Sequence, residues 1–306
     1  MRASLREVKL GRITYFVSDP VMSSENVGLI VGHLTSREAT SFSDLFPGTS
    51  ICIGTADTQL EAPIQPVAEH MIESSGALER KGGIHLVGGS RSGVYTTVCA
   101  YYQARMVAPR PVRVVLLSPL LKIWPEMSNL RHPAYKMLVQ KAEKDPSIVA
   151  HLEKDGDALN VMQRIADEGL DVKFTIAIGA HHARDKRDVD RLRHFPFVRV
   201  IELDTDEHLT FFWLKTRVDQ PNAIKRALEL TARNNWPNLP PSQVPAKAAK
   251  TVEQILRLRR EFGNLNRLIA DMDRVPASAR AESGQAPSTS QTSLEIPPPP
   301  GIPVTS

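Results

Sequence analysis

Three residues far apart in the chain have the types that nucleophilic acyl-transfer chemistry needs. Ser90 stands in a small-residue stretch, 88–93 (GGSRSG), after an apolar run and before a segment with helical spacing. Asp185 and His208 follow in the polar stretches GAHHARDKRD and DTDEHLTFFWL. A serine becomes a nucleophile when a histidine takes its proton and a carboxylate orients that histidine. The residue types predict this chemistry, provided that the fold brings the three side chains together.

The surroundings of Ser90 favour a nucleophile elbow, in which a serine sits at the apex of a tight strand-to-helix turn. Such a turn needs small residues two positions before and two after the serine, and Gly88 and Ser92 meet this requirement. The backbone N–H of Arg91, in the first turn of the helix, can face a developing oxyanion with help from the helix dipole.

Two other uses of a glycine-rich corner fit the sequence less well. A phosphate-binding P-loop needs Lys and then Ser or Thr after its second glycine, but Gly93 is followed by Val94 and Tyr95. The stretch VGGSRSGV also resembles the glycine turn of short-chain dehydrogenases. In that family the turn lies at the start of the domain, whereas in this chain three predicted strands precede it. No tyrosine has a lysine four places on, as that family's catalytic pair requires. A nicotinamide-dependent reductase remains as a minor alternative.

Short apolar runs along the chain predict the elements that must position these residues. Most of the runs are continuous rather than alternating, which is typical of parallel strands covered on both faces. Helical segments lie between several of them, so right-handed crossovers are expected. The predicted fold class is α/β, an open and mostly parallel sheet with helices on both faces. The predicted strands are 12–17, 27–31, 51–54, 84–88, 112–117, 172–178 and 198–203, and the predicted helices between them are 64–79, 91–106 and 155–168.

The two partners of Ser90 each follow a predicted strand. Asp185 comes seven residues after the strand 172–178, and His208 comes five residues after the strand 198–203. Both side chains would then project from the carboxyl edge of the sheet, beside Ser90. Ligands bind at this edge in open α/β sheets.

With this arrangement the chain resembles the α/β-hydrolase superfamily over roughly residues 12–235. The resemblance implies that Ser90 is the nucleophile, His208 the general base and Asp185 the acid that orients the base. It also implies a serine hydrolase acting on a small-molecule ester or thioester without a metal or an organic cofactor.

Some assignments within this resemblance stay open. The second oxyanion donor would come from the stretch VGHLTS, where the backbone N–H of His33 or of Leu34 is the candidate beside that of Arg91. Asp188 is a rival to Asp185 as the acid, and Asp206 is a more distant one. A hydrolase-like module without catalytic activity is the alternative from another functional class.

Changes of composition divide the chain. Residues 1–235 form the predicted hydrolase-like domain, in which 118–171 is either a lid over the carboxyl edge or two ordinary surface helices. A proline-rich linker is predicted at 236–245 and an amphipathic helix at 246–274. The Pro-, Ser- and Thr-rich tail 275–306 is predicted to be disordered.

The predicted C-terminal helix has an apolar stripe that allows two interpretations. The stripe is shorter than a confident coiled coil needs, so the helix either lies on its own domain or supports a homo-oligomer. In the module alternative, this helix and the proline-rich tail carry the interactions. The stripe residues are Ile255, Leu258, Phe262, Leu265, Ile269 and Met272.

The charge, the cysteines and the histidines of the sequence bear on the partners, the location and the metal content of the protein. The net charge of +4, from 38 basic and 34 acidic residues, is too small to indicate a nucleic-acid partner. Cys52 and Cys99 are interpreted as small buried residues in a reducing compartment. No signal-peptide pattern or membrane span is evident, so a cytoplasmic location is predicted. His181 and His182 stand near Asp185, but adjacent histidines rarely converge on one ion, and no metal site is predicted.

Overall fold

The structure, a computed structural model, describes ten stretches of the chain. They are residues 5–10, 13–18, 27–31, 50–54, 63–90, 92–122, 139–205, 208, 221–262 and 265–274. Met1–Asp273 form one compact unit, and the second unit is Arg274–Ser306, of which only Arg274 is described. The predicted tail 275–306 lies outside the described residues. Among the described helices, none has the length and apolar character needed to cross a bilayer.

The described strands form one eight-stranded sheet. They are β1 Leu5–Leu10, β2 Ile13–Ser18, β3 Val27–Val31, β4 Ser50–Gly54, β5 Ile84–Gly89, β6 Val112–Leu117, β7 Val172–Gly179 and β8 Val198–Leu203. Their order across the sheet is β1-β2-β4-β3-β5-β6-β7-β8. Strands β1 and β2 are antiparallel, and so are β2 and β4, whereas all the other neighbouring pairs are parallel. The predicted open and mostly parallel α/β sheet is therefore confirmed.

Strand β1 is the one described strand that the apolar runs did not indicate. Its sequence, LREVKL, mixes charged and apolar residues and lacks a continuous apolar stretch. Among the described strands it pairs with β2 alone, in a register from Leu5 opposite Ser18 to Leu10 opposite Ile13. Charged side chains are typical of such edge strands, because they discourage pairing with other chains.

Helices cover both faces of the sheet. They are α1 Ile64–Ser74, α2 Ser92–Val107, α3 Pro146–Asp155, α4 Ala158–Asp167, α5 Ala183–Asp190, α6 Pro221–Leu230, α7 Ala232–Asn235, α8 Val244–Phe262 and α9 Leu265–Arg274, and short 3₁₀ turns occupy Ala77–Glu79 and Pro241–Gln243. Side chains alternate between the faces along each strand. Leu86 and Val114 accordingly join the cluster under α1, α2 and α4, while Val87 and Val115 join the cluster under α6, α8 and α9.

Two helices, α8 and α9, occupy the segment for which one helix, 246–274, was predicted. Helix α8 begins at Val244, inside the predicted linker 236–245. Residues 263 and 264, between the two helices, lie outside the described residues. Ile255, Leu258, Ile269 and Met272 of the apolar stripe are buried in the cluster on the second face of the sheet. These side chains pack within their own chain, which favours the first interpretation of the stripe; the homo-oligomer stays a prediction.

The segment 118–171 contributes to the core as well as to the surface. Helix α4 buries Val161, Met162 and Ile165 in the cluster that also holds α2 and the sheet. This helix is therefore an ordinary crossover helix between β6 and β7. Residues 123–138, where a lid would extend from the sheet edge, lie outside the described residues.

A charge network around the buried Arg113 lies at the amino end of the sheet. The guanidinium of Arg113, on β6, donates to Asp171 and, at 2.6 Å, to Asp273 of α9. Lys173 of β7 donates to the carbonyl of Met272 at 3.0 Å. His85, on the neighbouring strand β5, is buried, and burial first, then the charge of Arg113, lower its pKa to about 4 against the opposing effect of Asp273. Strand β5 thus has a neutral imidazole near one end and Ser90 just past the other.

Candidate active site

Ser90 occupies a strained turn between β5 and α2. Its φ is 49°, in the left-handed region that non-glycine residues rarely adopt. The turn is held by three backbone hydrogen bonds: Ser90 N–H donates to Leu117, and Gly93 N–H and Leu120 N–H donate to the Ser90 carbonyl, at 2.9, 3.0 and 2.7 Å. A strained serine held in this way, at the end of a central strand, has the strand–turn–helix context of a nucleophile elbow.

The two small residues around Ser90 are needed for different reasons. Ser92 closes the turn, because its hydroxyl donates to the Gly89 carbonyl at 2.8 Å and accepts from the Gly89 N–H at 3.0 Å. Gly88 faces Thr96 of α2, and a Cβ added at Gly88 would lie 1.9 Å from the Thr96 hydroxyl oxygen and 2.7 Å from its Cβ. The absence of a side chain at position 88 lets α2 pack directly on β5.

Gly88→Ala is therefore expected to destabilise the protein by about 3 kcal/mol, the upper end of ordinary overpacking. Thr96→Ala, introduced into the Gly88→Ala variant, removes the closest clashing atom and should recover part of the loss. Urea unfolding followed by circular dichroism measures both. Thr97→Ala in the same background is the control, because Thr97 lies on the same helix while the three atoms nearest to a Cβ at position 88 all belong to Thr96. Equal recovery by the two threonine variants would contradict this account.

His208 links Ser90 to Asp185. Its Nε2 lies 3.0 Å from the Ser90 Oγ, and its Nδ1 lies 3.0 Å from one carboxylate oxygen of Asp185 and 3.3 Å from the other. The structure thus brings together the three residues singled out in the sequence, in the hydrogen-bonded order Ser90–His208–Asp185. With the Nδ1 proton donated to Asp185, the lone pair of Nε2 faces the serine hydroxyl.

Asp185 lies in the first turn of α5, which follows β7, and its side chain is fully buried. Burial acts to raise the pKa of Asp185, but hydrogen bonds from His208 and Ser118 and the nearby charges of His208 and His182 outweigh it. The pKa of Asp185 is consequently lowered, and the group is a carboxylate at neutral pH.

Of the two rival acids, Asp188 and Asp206, the structure describes Asp188, which is not seen in contact with His208. The Asp188 carboxylate, also on α5, accepts a hydrogen bond from Arg187 at 3.2 Å and is partly exposed. Within the described residues, Asp185 is the carboxylate in contact with His208. Asp206 and the three predicted oxyanion donors, Arg91, His33 and Leu34, lie outside the described residues, and their roles stay predictions.

Ser118 is a residue of this site that the sequence patterns did not indicate. It follows β6, is fully buried, has a φ of 39° and donates a side-chain hydrogen bond to Asp185. Its N–H donates to the Ala177 carbonyl at 2.8 Å, which ties it to β7. The available signal was a polar residue directly after a continuous apolar strand, in the stretch VVLLSP.

The adjacent histidines His181 and His182 contact different carboxylates. The His181 Nε2 lies 2.8 Å from the Asp204 carboxylate at the surface, whereas the His182 Nδ1 lies 2.9 Å from Asp185. His182, Asp185 and His208 each offer one donor atom, all within 4.8 Å of one another, so these residues could hold a metal ion. Sequence reasoning did not find this group because its third member, His208, follows a different strand.

The order of the functional groups along the sheet identifies the architecture. Ser90 follows β5 at a strand–turn–helix elbow, Asp185 follows β7 and His208 follows β8, all at the carboxyl edge of the parallel strands. Serine, acid and histidine occur in this order in chains with a G-x-S-x-G elbow. The chain has an α/β-hydrolase fold.

Comparisons with known proteins give structural likenesses alone. No family model matches the chain, and no curated protein matches it. Solved structures of similar α/β-hydrolase fold include FphF, a fluorophosphonate-binding serine hydrolase of Staphylococcus aureus, with 14% identity, a TM-score of 0.49 and coverage of 74% of this chain and 96% of that one. S-formylglutathione hydrolase (FrmB) from the same organism has 14% identity, a TM-score of 0.46 and coverage of 75% and 99%. An esterase of the bacterial hormone-sensitive lipase family has 18% identity, a TM-score of 0.45 and coverage of 83% and 85%. These likenesses assign no activity to this chain.

Proposed function

We propose that this α/β-hydrolase-fold chain is a serine hydrolase that cleaves an ester or a thioester through an acyl-enzyme. The observation that carries the proposal is the continuous hydrogen-bonded path from the Ser90 Oγ through both nitrogens of His208 to the buried carboxylate of Asp185. Each contact is within the distance at which a proton can be transferred or a tautomer held.

The proposed first half-reaction acylates the serine. The Ser90 Oγ attacks the acyl carbon while His208 Nε2 takes the hydroxyl proton, and Asp185 stabilises the imidazolium that forms. The backbone N–H of Arg91 and that of His33 or Leu34 are the proposed donors to the oxyanion. The imidazolium then gives its proton to the departing alcohol or thiol, whose bond to the acyl carbon breaks.

The second half-reaction restores the enzyme. Water attacks the acyl carbon, His208 takes a proton from it, and the bond to the Ser90 Oγ breaks as that proton returns to the serine. The products are a carboxylic acid and free enzyme. The cycle uses no metal or organic cofactor, because both proton transfers run through His208.

Labelling with a fluorophosphonate probe tests this proposal, because the probe reacts covalently with an activated serine. The wild-type chain is expected to be labelled once, and Ser90→Ala is expected to abolish the labelling and the hydrolysis of p-nitrophenyl esters. Ser74→Ala, a serine substitution on the distant helix α1, is the matched control and should leave both unchanged. Circular dichroism verifies that each variant is folded.

The same experiment separates the alternative from the other functional class. A folded wild-type chain that is neither labelled nor active on any p-nitrophenyl ester or thioester would reject the hydrolase and leave a non-catalytic module. A series of acyl-chain lengths, run on the labelled enzyme, then defines the substrate class.

A further inference from the structure

His182 contacts the same carboxylate as His208. The His182 Nδ1 lies 2.9 Å from Asp185 Oδ1, and the His208 Nδ1 lies 3.0 Å from Asp185 Oδ2. The two imidazole rings are neighbours, tilted at 45° to each other, with centroids 5.4 Å apart. Two Nδ1 atoms and one carboxylate therefore converge on a small volume.

The position of His182 at the start of α5 keeps its ring beside Asp185. Its Nδ1 also lies 3.4 Å from the Asp185 backbone N–H, as a helix N-cap would. One nitrogen cannot accept from the amide and donate to the carboxylate at the same time. The amide hydrogen bond assigns the lone pair to Nδ1, so the ring proton of the neutral imidazole resides on Nε2, and Nδ1 lies against the Asp185 carboxylate without donating to it.

We propose that His182, Asp185 and His208 form a binding site for a divalent transition-metal ion, of which Zn²⁺ is the best match, and that occupancy of this site inhibits the hydrolase. Two imidazole nitrogens and one carboxylate oxygen are a common zinc ligand set, with the fourth position left for water. The three donor atoms all lie within 4.8 Å of one another, so modest movements of the histidine rings would bring them to one ion.

Solvent can reach this site through the histidines. The side chains of His182 and His208 are 27% and 25% exposed, whereas that of Asp185 is 0% exposed. An arriving ion meets the two rings first, and the carboxylate lies behind them. The Asp185 carboxylate, 2.9 Å from one Nδ1 and 3.0 Å from the other, attracts the cation into the space between the two rings.

Metal binding changes the tautomer on which the proposed mechanism depends. When the ion takes the lone pair of His208 Nδ1, the single proton of the neutral imidazole resides on Nε2. An Nε2 that carries a proton cannot accept the one on the Ser90 hydroxyl, so acylation stops. His182 offers the Nδ1 lone pair that now accepts from the Asp185 backbone N–H, so no proton is lost from either ring. The inhibition rests on the proposed function, whereas the binding itself does not.

The test measures binding and labelling separately, on the full chain. Isothermal titration with Zn²⁺ gives the stoichiometry and affinity, and Co²⁺ provides a visible absorption that reports nitrogen and oxygen coordination. Fluorophosphonate labelling of Ser90 is then followed with Zn²⁺ present and after EDTA is added. The variants are His182→Asn, whose side chain can still cap α5, and His208→Gln. His181→Gln is the matched control, since His181 contacts Asp204 outside the site.

The expected result is one Zn²⁺ per chain, with labelling suppressed roughly tenfold or more at saturation and restored by EDTA. His182→Asn and His208→Gln should each weaken binding by about tenfold or more, while His181→Gln and Ser90→Ala should bind as the wild type does. Absence of binding, equal affinity in folded His182→Asn, or undiminished labelling of the zinc-bound chain would each overturn the inference. If zinc binds through His182 but the metal-free chain is never labelled, the proposed function fails and the metal site stands.

Discussion

Asp185→Asn is expected to lower kcat for ester hydrolysis by about 10⁴-fold, the size of effect seen when a triad acid becomes an amide. The carboxylate of Asp185 can only accept, so it selects the His208 tautomer that carries its proton on Nδ1, 3.0 Å away. An asparagine can instead point its NH₂ group at Nδ1. The proton of His208 then moves to Nε2, and the ring loses the ability to accept from Ser90.

Charge adds to this tautomer effect. The imidazolium formed during acylation is stabilised by the buried negative charge of Asp185, and a neutral amide does not replace it. Ser118 donates to Asp185 and can still donate to the amide oxygen of asparagine. The fold should therefore survive, and the loss should appear in kcat while the melting temperature changes little.

Asp188→Asn is the matched control, because it makes the same change in the same helix. Asp188 is partly exposed and paired with Arg187, and its removal should leave kcat within about twofold, as for an exposed ion pair. Steady-state hydrolysis of p-nitrophenyl acetate by both variants gives the comparison. If Asp188→Asn lost activity while Asp185→Asn kept it, the acid would have been assigned to the wrong residue.

Acid is expected to destabilise the protein through His85. In the unfolded chain this histidine takes up a proton below its ordinary pKa of 6.5, whereas in the folded chain its pKa is about 4. Between these values the unfolded state binds more protons, so the free energy of unfolding falls as the pH is lowered through this window. A shift of this size corresponds to a loss of about 3 kcal/mol by the time the pH reaches the folded pKa.

The contribution of His85 is isolated by a difference between variants. Urea unfolding is measured at neutral pH and near pH ~4 for the wild type and for His85→Gln, which replaces the ring by a neutral polar side chain. Carboxylates titrate in both proteins and cancel, so the wild type should lose about 3 kcal/mol more than the variant. His194→Gln, at an exposed histidine, controls for the loss of a ring. Identical losses in wild type and His85→Gln would refute the assignment.

The parallel part of the fold was predictable because its signal is local. Strands such as Val112–Leu117 and Val172–Gly179 are mostly apolar runs, which can be identified without knowledge of their neighbours. Strand β1 was missed because half of its residues are charged, and only its pairing with β2 makes it a strand. The apolar stripe of α8 and α9 was visible in the sequence, but the surface that it covers was not.

In the site, too, the features with a local sequence pattern were predictable and those that depend on tertiary contacts were not. The elbow around Ser90 has a local pattern, and His208 and Asp185 could be found because each follows a strand at the same sheet edge. Ser118 carries no such pattern, since its importance comes from contact with Asp185 across separate elements. His182 lies three residues before Asp185, and its proximity to His208 could not be read from the sequence because His208 follows a different strand. The requirement for a small residue at position 88 was predicted, but the contact with Thr96 that makes it necessary was not.

Helices α8 and α9, which cover one face of the sheet, come late in the chain, and this order affects how the protein folds during synthesis. Val87 and Val115 are packed beneath Ile255 of α8 and its neighbours, and Arg113 is neutralised in part by Asp273, 160 residues later. A ribosome completes every strand well before it releases these partners. The growing polypeptide therefore holds this apolar sheet face without α8 and α9, and Arg113 with Asp171 as its carboxylate partner, until Asp273 has been synthesised. Apolar surface that is exposed during this interval favours self-association.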